Sequence, residues 1–218
     1  MRWGCFMKNV LIIGAHFDDS ELGAGGTAAK LLDEGKNVYK ITLTNTEVID
    51  DFFKLDIRAD VAKQNSRKAC EEIGGVQELE IHPAQYGLLE YNQFMMKEIE
   101  RLIERYKIDT VFIHYNEDYN TDHVAAHNIC KTAARHCKNI LMYQSNPYIL
   151  ADGYKPNFFV DISSYIEHKR RALNCYDNDH NRKGRLFETN IQRNEVWGYG
   201  NGVQYAEGFI SIRYMYEE

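Results

Sequence analysis

Short β-branched runs recur along the chain at Val10–Gly14, Val38–Thr44, Glu78–Ile81, Thr110–His114 and Ile140–Tyr143, and the segments between them carry apolar residues three and four apart. A strand apolar at nearly every position is buried on both faces, and strands joined through helices pair in parallel. The pattern therefore predicts helices near Gly25–Glu34, Ala59–Ile73, Gln93–Tyr106 and Thr121–Cys137, covering both faces of a mostly parallel sheet with right-handed crossovers, a three-layer α/β fold. The last third is read as an extended piece at Phe158–Asp161, a helix at Ser163–Tyr176 and a final strand around Phe209–Tyr214. With 218 residues, 44% of them hydrophobic, the whole fits a single domain, and Met1–Phe6 is set aside as an extension before a start at Met7.

Charge narrows the choice of partner. A formal charge of −6 and the lack of a long basic run argue against nucleic acid or an anionic membrane. The densest basic cluster, Lys169-Arg170-Arg171, is read as a solvated helix face. The apolar run Val10–Ala15 is too short to span a membrane, so no membrane span is expected. Five cysteines, odd in number and without a C-x-x-C pair, fit a reducing cytoplasm better than a disulfide framework.

The chemistry is concentrated where strands end. Ala15–Thr27 reads A-H-F-D-D-S-E-L-G-A-G-G-T, so His16, Asp18 and Asp19 emerge beyond the carboxyl end of the first strand, where open α/β sheets bind ligands. Imidazole and carboxylate suit zinc and similar divalent ions, and a catalytic site uses three protein ligands with one position open. His16 and Asp19 supply two ligands. The second cluster, His114 to His127, follows the strand Thr110–His114 and offers His123 or His127 as the third, His123 lying nearer the strand end. Adjacent aspartates at a turn point in different directions, so Asp18 is left to act as general base on a water. Thr44, Asn45 and Glu47 follow the second strand, and Asn45 is expected to line the same crevice and contact substrate. Gly23-Ala-Gly25-Gly26 is a tight turn that lacks the order of a dinucleotide loop and the lysine of a P-loop. The aromatic segment Arg193–Gly202 is read as a loop that shapes a sugar pocket.

Ala15–Thr27 resembles the A-H-P-D-D-x-E-x-x-x-G-G-T signature of the LmbE-like, or PIG-L, family of zinc-dependent N-acetylglucosamine-type deacetylases. Asn120-Thr-Asp-His123 resembles its second signature, H-x-D-H, and Tyr205–Phe209 its late A-E-x-F segment. The resemblance implies a Rossmann-like fold and a zinc or iron(II) site of His16, Asp19 and His123. It further implies Asp18 as base, Glu207 near the substrate, and a small-molecule N-acetylated amino sugar as substrate. Relatives often form homo-oligomers. Phe17 stands where proline is usual, and Asn120 where many members have a histidine that stabilises the oxyanion and protonates the leaving amine. An amide keeps the first role and loses the second, which passes to Asp18, His114 or Asp118. Within this chemistry the substrate is a nucleotide-linked, lipid-linked or small-molecule-linked sugar, including precursors of low-molecular-weight thiols. A nucleotide-sugar-binding domain without catalysis is the alternative from a different class.

Overall fold

The computed structural model describes residues 7–52, 55–148, 153–176 and 186–215. Met1–Phe6, read above as an extension, lies outside them. Nine strands and six helices occur among the described residues: β1 Asn9–Gly14, α1 Asp19–Asp33, β2 Asn37–Thr42, β3 Val48–Asp50, β4 Leu55–Ile57, α2 Ala59–Ile73, β5 Gln77–Glu78, α3 Gln93–Arg105, β6 Thr110–His114, α4 Thr121–Ala133, β7 Asn139–Tyr143, β8 Phe158–Asp161, α5 Ile166–Asn174, α6 Glu188–Gly200 and β9 Ala206–Arg213. Seven strands form one sheet in the order β5-β2-β1-β6-β7-β9-β8. The five on the β5 side are mutually parallel, whereas β9 runs antiparallel to both β7 and β8. β3 and β4 make a separate antiparallel hairpin.

Alternation along β1 divides the core. Val10 and Ile12 join Leu22 and Ala28 of α1, Ala69 of α2 and Leu173 of α5 on one face, while Leu11 and Ile13 join Ile99 of α3 and Ile129 of α4 on the other. Helices thus cover both faces, as a buried parallel sheet requires. Among the described residues no helix is long and apolar enough to cross a membrane.

Three local expectations are corrected. The glycine-rich stretch is not the turn from strand to helix, because helical structure already begins ahead of it at Asp19; within the stretch only Ala24 departs from helical backbone. Its glycines make room for neighbours: a Cβ at Gly23 would sit 2.1 Å from Tyr143 Cδ2, and one at Gly26 would sit 2.7 Å from Ile162 Cδ1. The segment read as an aromatic loop is mostly helix α6, whose buried Asn190 and Asn194 donate side-chain bonds to the carbonyls of Ser145 and Ala206. Lys169 is not solvated; it is fully buried on α5 and paired with Glu207 at 2.7 Å.

Candidate metal centre

β1 and β6 lie side by side and parallel, with Val10 opposite Thr110 and Ile12 opposite Phe112. The chain leaves β1 toward β2 on one side and later β6 toward β7 on the other, so the order reverses between them. A crevice opens at such a switch point beyond the strands' carboxyl ends. The connection after β1 delivers His16, Asp18 and Asp19, and the connection after β6 delivers Asp118 and Asn120 ahead of His123 on α4.

Three of these side chains converge. His16 Nδ1 lies 3.2 Å from His123 Nε2 and 3.3 Å from Asp19 Oδ2, and His123 Nε2 lies 3.3 Å from Asp19 Oδ1. All three residues are buried. The far nitrogens meet carboxylates: His123 Nδ1 bonds Asp118 Oδ2 at 2.8 Å, and His16 Nε2 bonds Asp122 Oδ2 at 3.0 Å. A carboxylate only accepts, so those nitrogens carry the protons. Two neutral rings would then aim lone pairs at each other across 3.2 Å, an arrangement that a cation relieves. The distances fit a metal as well. A tetrahedral ion with donors at about 2.0–2.1 Å requires donor–donor edges of about 3.3–3.4 Å.

The electrostatics make the same demand. Burial alone would push the His123 imidazole down, yet the Asp19 charge and the bond to Asp118 outweigh it and hold the pKa at about 10. Burial opposes ionisation of Asp19, but the His123 charge and the neighbouring His114 imidazole hold its carboxyl well below the usual range. His16 is raised too, its bonds to Asp122 and Asp19 overcoming burial.

Neighbouring histidines are accounted for otherwise. His114 Nε2 accepts the Ala15 N–H at 3.0 Å, and burial first, with the His123 charge, pushes its pKa down to about 4. It stacks on His123 at 4.2 Å and supports that ring. His127 Nδ1 donates to the His114 carbonyl at 2.9 Å and stays outside the cluster, which leaves His123 as the third donor.

A cavity of about 850 Å³ opens over the cluster, and His16, Asp18, Asp19, Asn120 and His123 all line it. Asp18 occupies the N-cap of α1 without a capping bond from its side chain. Asn120 caps α4, its Oδ1 accepting from Asp122 N at 2.9 Å, so the amide group it has left for the cavity is its NH₂ donor. Phe17, Tyr86, Tyr148 and Tyr176 add aromatic walls. The two remaining expected residues lie elsewhere. Asn45 borders a separate cavity of about 220 Å³ and accepts from Glu47 N and Tyr86 N, tying down the loop that holds Tyr86 against His16. Glu207 on β9 is fully buried, and its carboxylate is engaged by Gly26 N, Thr27 N and Lys169 Nζ, so no oxygen is turned to the cavity.

Sequence reasoning missed the carboxylates that orient the clustered histidines. Asp118 was weighed only as an acid and Asp122 not at all, although Asp122 also accepts from Gly87 N and Leu89 N and so joins the ring of His16 to a distant loop. Carboxylates flanking a ligand histidine are the signal, since metal-bound imidazoles pass their second N–H to such groups.

A sequence profile of the family described as PIG-L, GlcNAc-PI de-N-acetylase, matches residues 11–134, the segment holding the whole cluster. Diacetylchitobiose deacetylase of Thermococcus kodakarensis is 29% identical, over 93% of this chain and 82% of its own. The structure of N,N'-diacetylchitobiose deacetylase from Pyrococcus horikoshii is similar with a TM-score of 0.77 at 20% identity, covering 95% of this chain and 84% of that one. A 4-carboxy-2-hydroxymuconate hydratase from Pseudomonas putida KT2440 reaches a TM-score of 0.79 at 19% identity, covering 97% and 99%. At these identities the structural likenesses speak for the fold alone, and a hydratase on the same scaffold shows why the site must carry the chemistry. The profile spans more than half of the 218 residues and contains both signatures, and on that ground the chain belongs to the PIG-L, or LmbE-like, family.

Proposed function

We propose that the protein is a metal-dependent hydrolase of the zinc type that removes the acetyl group from an N-acetylated amino sugar. The observation that carries this reading is the meeting of His16 Nδ1, His123 Nε2 and the Asp19 carboxylate on one cavity with Asp18 and Asn120. The family and the deacetylase relative support it. A divalent ion held by His16, Asp19 and His123, zinc or iron(II), supplies Lewis acidity to the amide carbonyl and lowers the pKa of water beside it.

The chain's own groups do the rest. Asp18 takes a proton from the water as its oxygen bonds the carbonyl carbon, and the Asn120 NH₂ donates to the carbonyl oxygen as charge builds there. The leaving amine needs a proton when the C–N bond breaks. Asn120 cannot give one, and His114 Nε2 is committed to accepting the Ala15 N–H. Asp118 is bound to His123 Nδ1 and Asn120 N. Asp18 therefore returns the proton it took, leaving acetate and a free amine.

The described walls suit a sugar ring. Among the described residues lining the cavity there is no lysine or arginine to meet a phosphate, and four aromatic side chains offer faces to a pyranose ring. At about 850 Å³ the cavity is at the roomy end of small-molecule sites, roughly 300–1,000 Å³. The described cysteines are free thiols and three are buried, which supports a reducing compartment such as the cytoplasm.

Acetate release from a panel tests the proposal: N-acetylglucosamine, its β-linked dimer, a nucleotide-linked form, and malate- and inositol-linked forms. Zinc-loaded enzyme is expected to release acetate from neutral members, and Asp18→Ala to retain zinc and lose turnover. Full turnover by zinc-loaded Asp18→Ala would remove Asp18 from its role, and no release from any member would overturn the activity.

A further inference from the structure

Helix α1 is broken at one residue: Ala24, with φ −143° and ψ 19°, interrupts an otherwise helical segment. In an unbroken helix the Gly26 N–H would donate to the Leu22 carbonyl. Here Gly26 N donates to Glu207 Oε1 at 3.0 Å, while Leu22 O accepts from Lys169 Nζ at 2.8 Å. Lys169 Nζ and Glu207 Oε1 close the gap at 2.7 Å, and Glu207 Oε2 also takes the Thr27 N–H at 2.7 Å. An ion pair has thus been inserted into a single helical hydrogen bond and satisfies both of its halves. Both side chains are fully buried.

The short arm before the break carries the site. Asp18 is its cap and Asp19 its first residue. The arm's other end is gripped by a second buried ammonium: Lys40 Nζ donates to Phe17 O at 2.6 Å and to Glu21 Oε1 at 2.7 Å, and Tyr176 OH donates to Phe17 O at 2.9 Å. A buried ion pair is a poor device for stability alone, since well-packed apolar replacements often serve as well or better. What it does here is hold open a break that the backbone would otherwise close.

We propose that Lys169 and Glu207 are positioning residues, an ion-pair splint that sets the angle of the Asp18–Gly23 arm and thereby places Asp18 and Asp19 against His123. This rests on the deacetylase reading for its effect on turnover, but not for its effect on metal binding. Neither residue lines the cavity.

The test compares wild type with Lys169→Met/Glu207→Met, which removes both charges at similar length and lets the Leu22–Gly26 bond form. Zinc affinity by competition with a chromophoric chelator, the thermal midpoint, and kcat and KM for acetate release are measured. Zinc affinity and kcat at saturating zinc are each expected to fall by about tenfold or more, with KM nearly unchanged and the midpoint close to wild type. A folded double variant with wild-type zinc affinity and kcat would make the pair merely structural and overturn the proposal. If the double variant does not fold, Glu207→Asp and Lys169→Arg decide. The shortened carboxylate should weaken zinc binding and the retained cation should largely preserve it; a folded Glu207→Asp with wild-type affinity overturns the splint. A wild type that binds zinc yet releases no acetate would end the deacetylase reading while leaving the zinc titration to judge the splint.

Discussion

An Asn120→Asp substitution separates two jobs held by one side chain. Asn120 Oδ1 caps α4 by accepting from Asp122 N at 2.9 Å, and its NH₂ is the donor proposed for the developing oxyanion. Aspartate caps a helix about as well as asparagine, so the change should cost the fold no more than a few tenths of a kcal/mol. Losing an oxyanion donor costs about 2.7–4 kcal/mol of transition-state stabilisation, roughly 10²–10³ in kcat, and the added carboxylate makes the loss larger. Asn120→Ala loses cap and donor together. It should show a similar drop in kcat plus about 1 kcal/mol of stability, a fall of roughly 2–4 °C in Tm for a chain of this size. Steady-state acetate release at saturating zinc, read beside thermal melts of both variants, gives the two numbers. A folded, zinc-loaded Asn120→Asp enzyme whose kcat stays within about threefold of wild type would refute the reasoning, because a threefold change is under 1 kcal/mol.

Other consequences follow from the same geometry. Asp118→Asn replaces the acceptor that fixes the His123 ring, and zinc affinity should fall about 10–100-fold by chelator competition with the fold intact. Apparent zinc affinity should itself rise with pH. Zinc must displace a proton that Asp19 and Asp118, against burial, hold on His123 up to about pH 10, so the apparent Kd should drop about tenfold per pH unit from roughly neutral pH until that value, then level off; a flat titration contradicts the assigned protonation. Gly23→Ala, a stabilising change in most helices, should destabilise here because its Cβ would fall 2.1 Å from Tyr143 Cδ2. About 1–3 kcal/mol of overpacking is expected in denaturant melts.

The middle of the sheet was legible because β1, β6 and β7 are nearly continuous apolar runs, and Thr110–His114 and Phe158–Asp161 match the observed β6 and β8 at both ends. The meeting of His16, Asp19 and His123 was legible for a related reason: strand ends of neighbouring parallel strands share a crevice, and both signatures follow such ends. What escaped depended on partners remote in sequence. Lys169 looked solvated within a basic triplet, and its burial is made tolerable by Glu207, 38 positions later, and by the Leu22 carbonyl. The break at Ala24 is bridged by both of them, so the glycines around it passed for a turn. α6 escaped because it lacks an apolar stripe and is held by buried asparagines bonding backbone carbonyls. β3 and β4, at three residues each, are too short to leave a period.

The account turns on a cation held between the two signatures, and zinc K-edge X-ray absorption on protein carrying one equivalent of zinc reads that directly. A first shell of nitrogen and oxygen alone at about 2.0–2.1 Å, with the outer scattering of two imidazoles and loss of one imidazole in His123→Ala, is the predicted spectrum. A sulfur shell near 2.3 Å, or a spectrum that His123→Ala leaves unchanged, would contradict it.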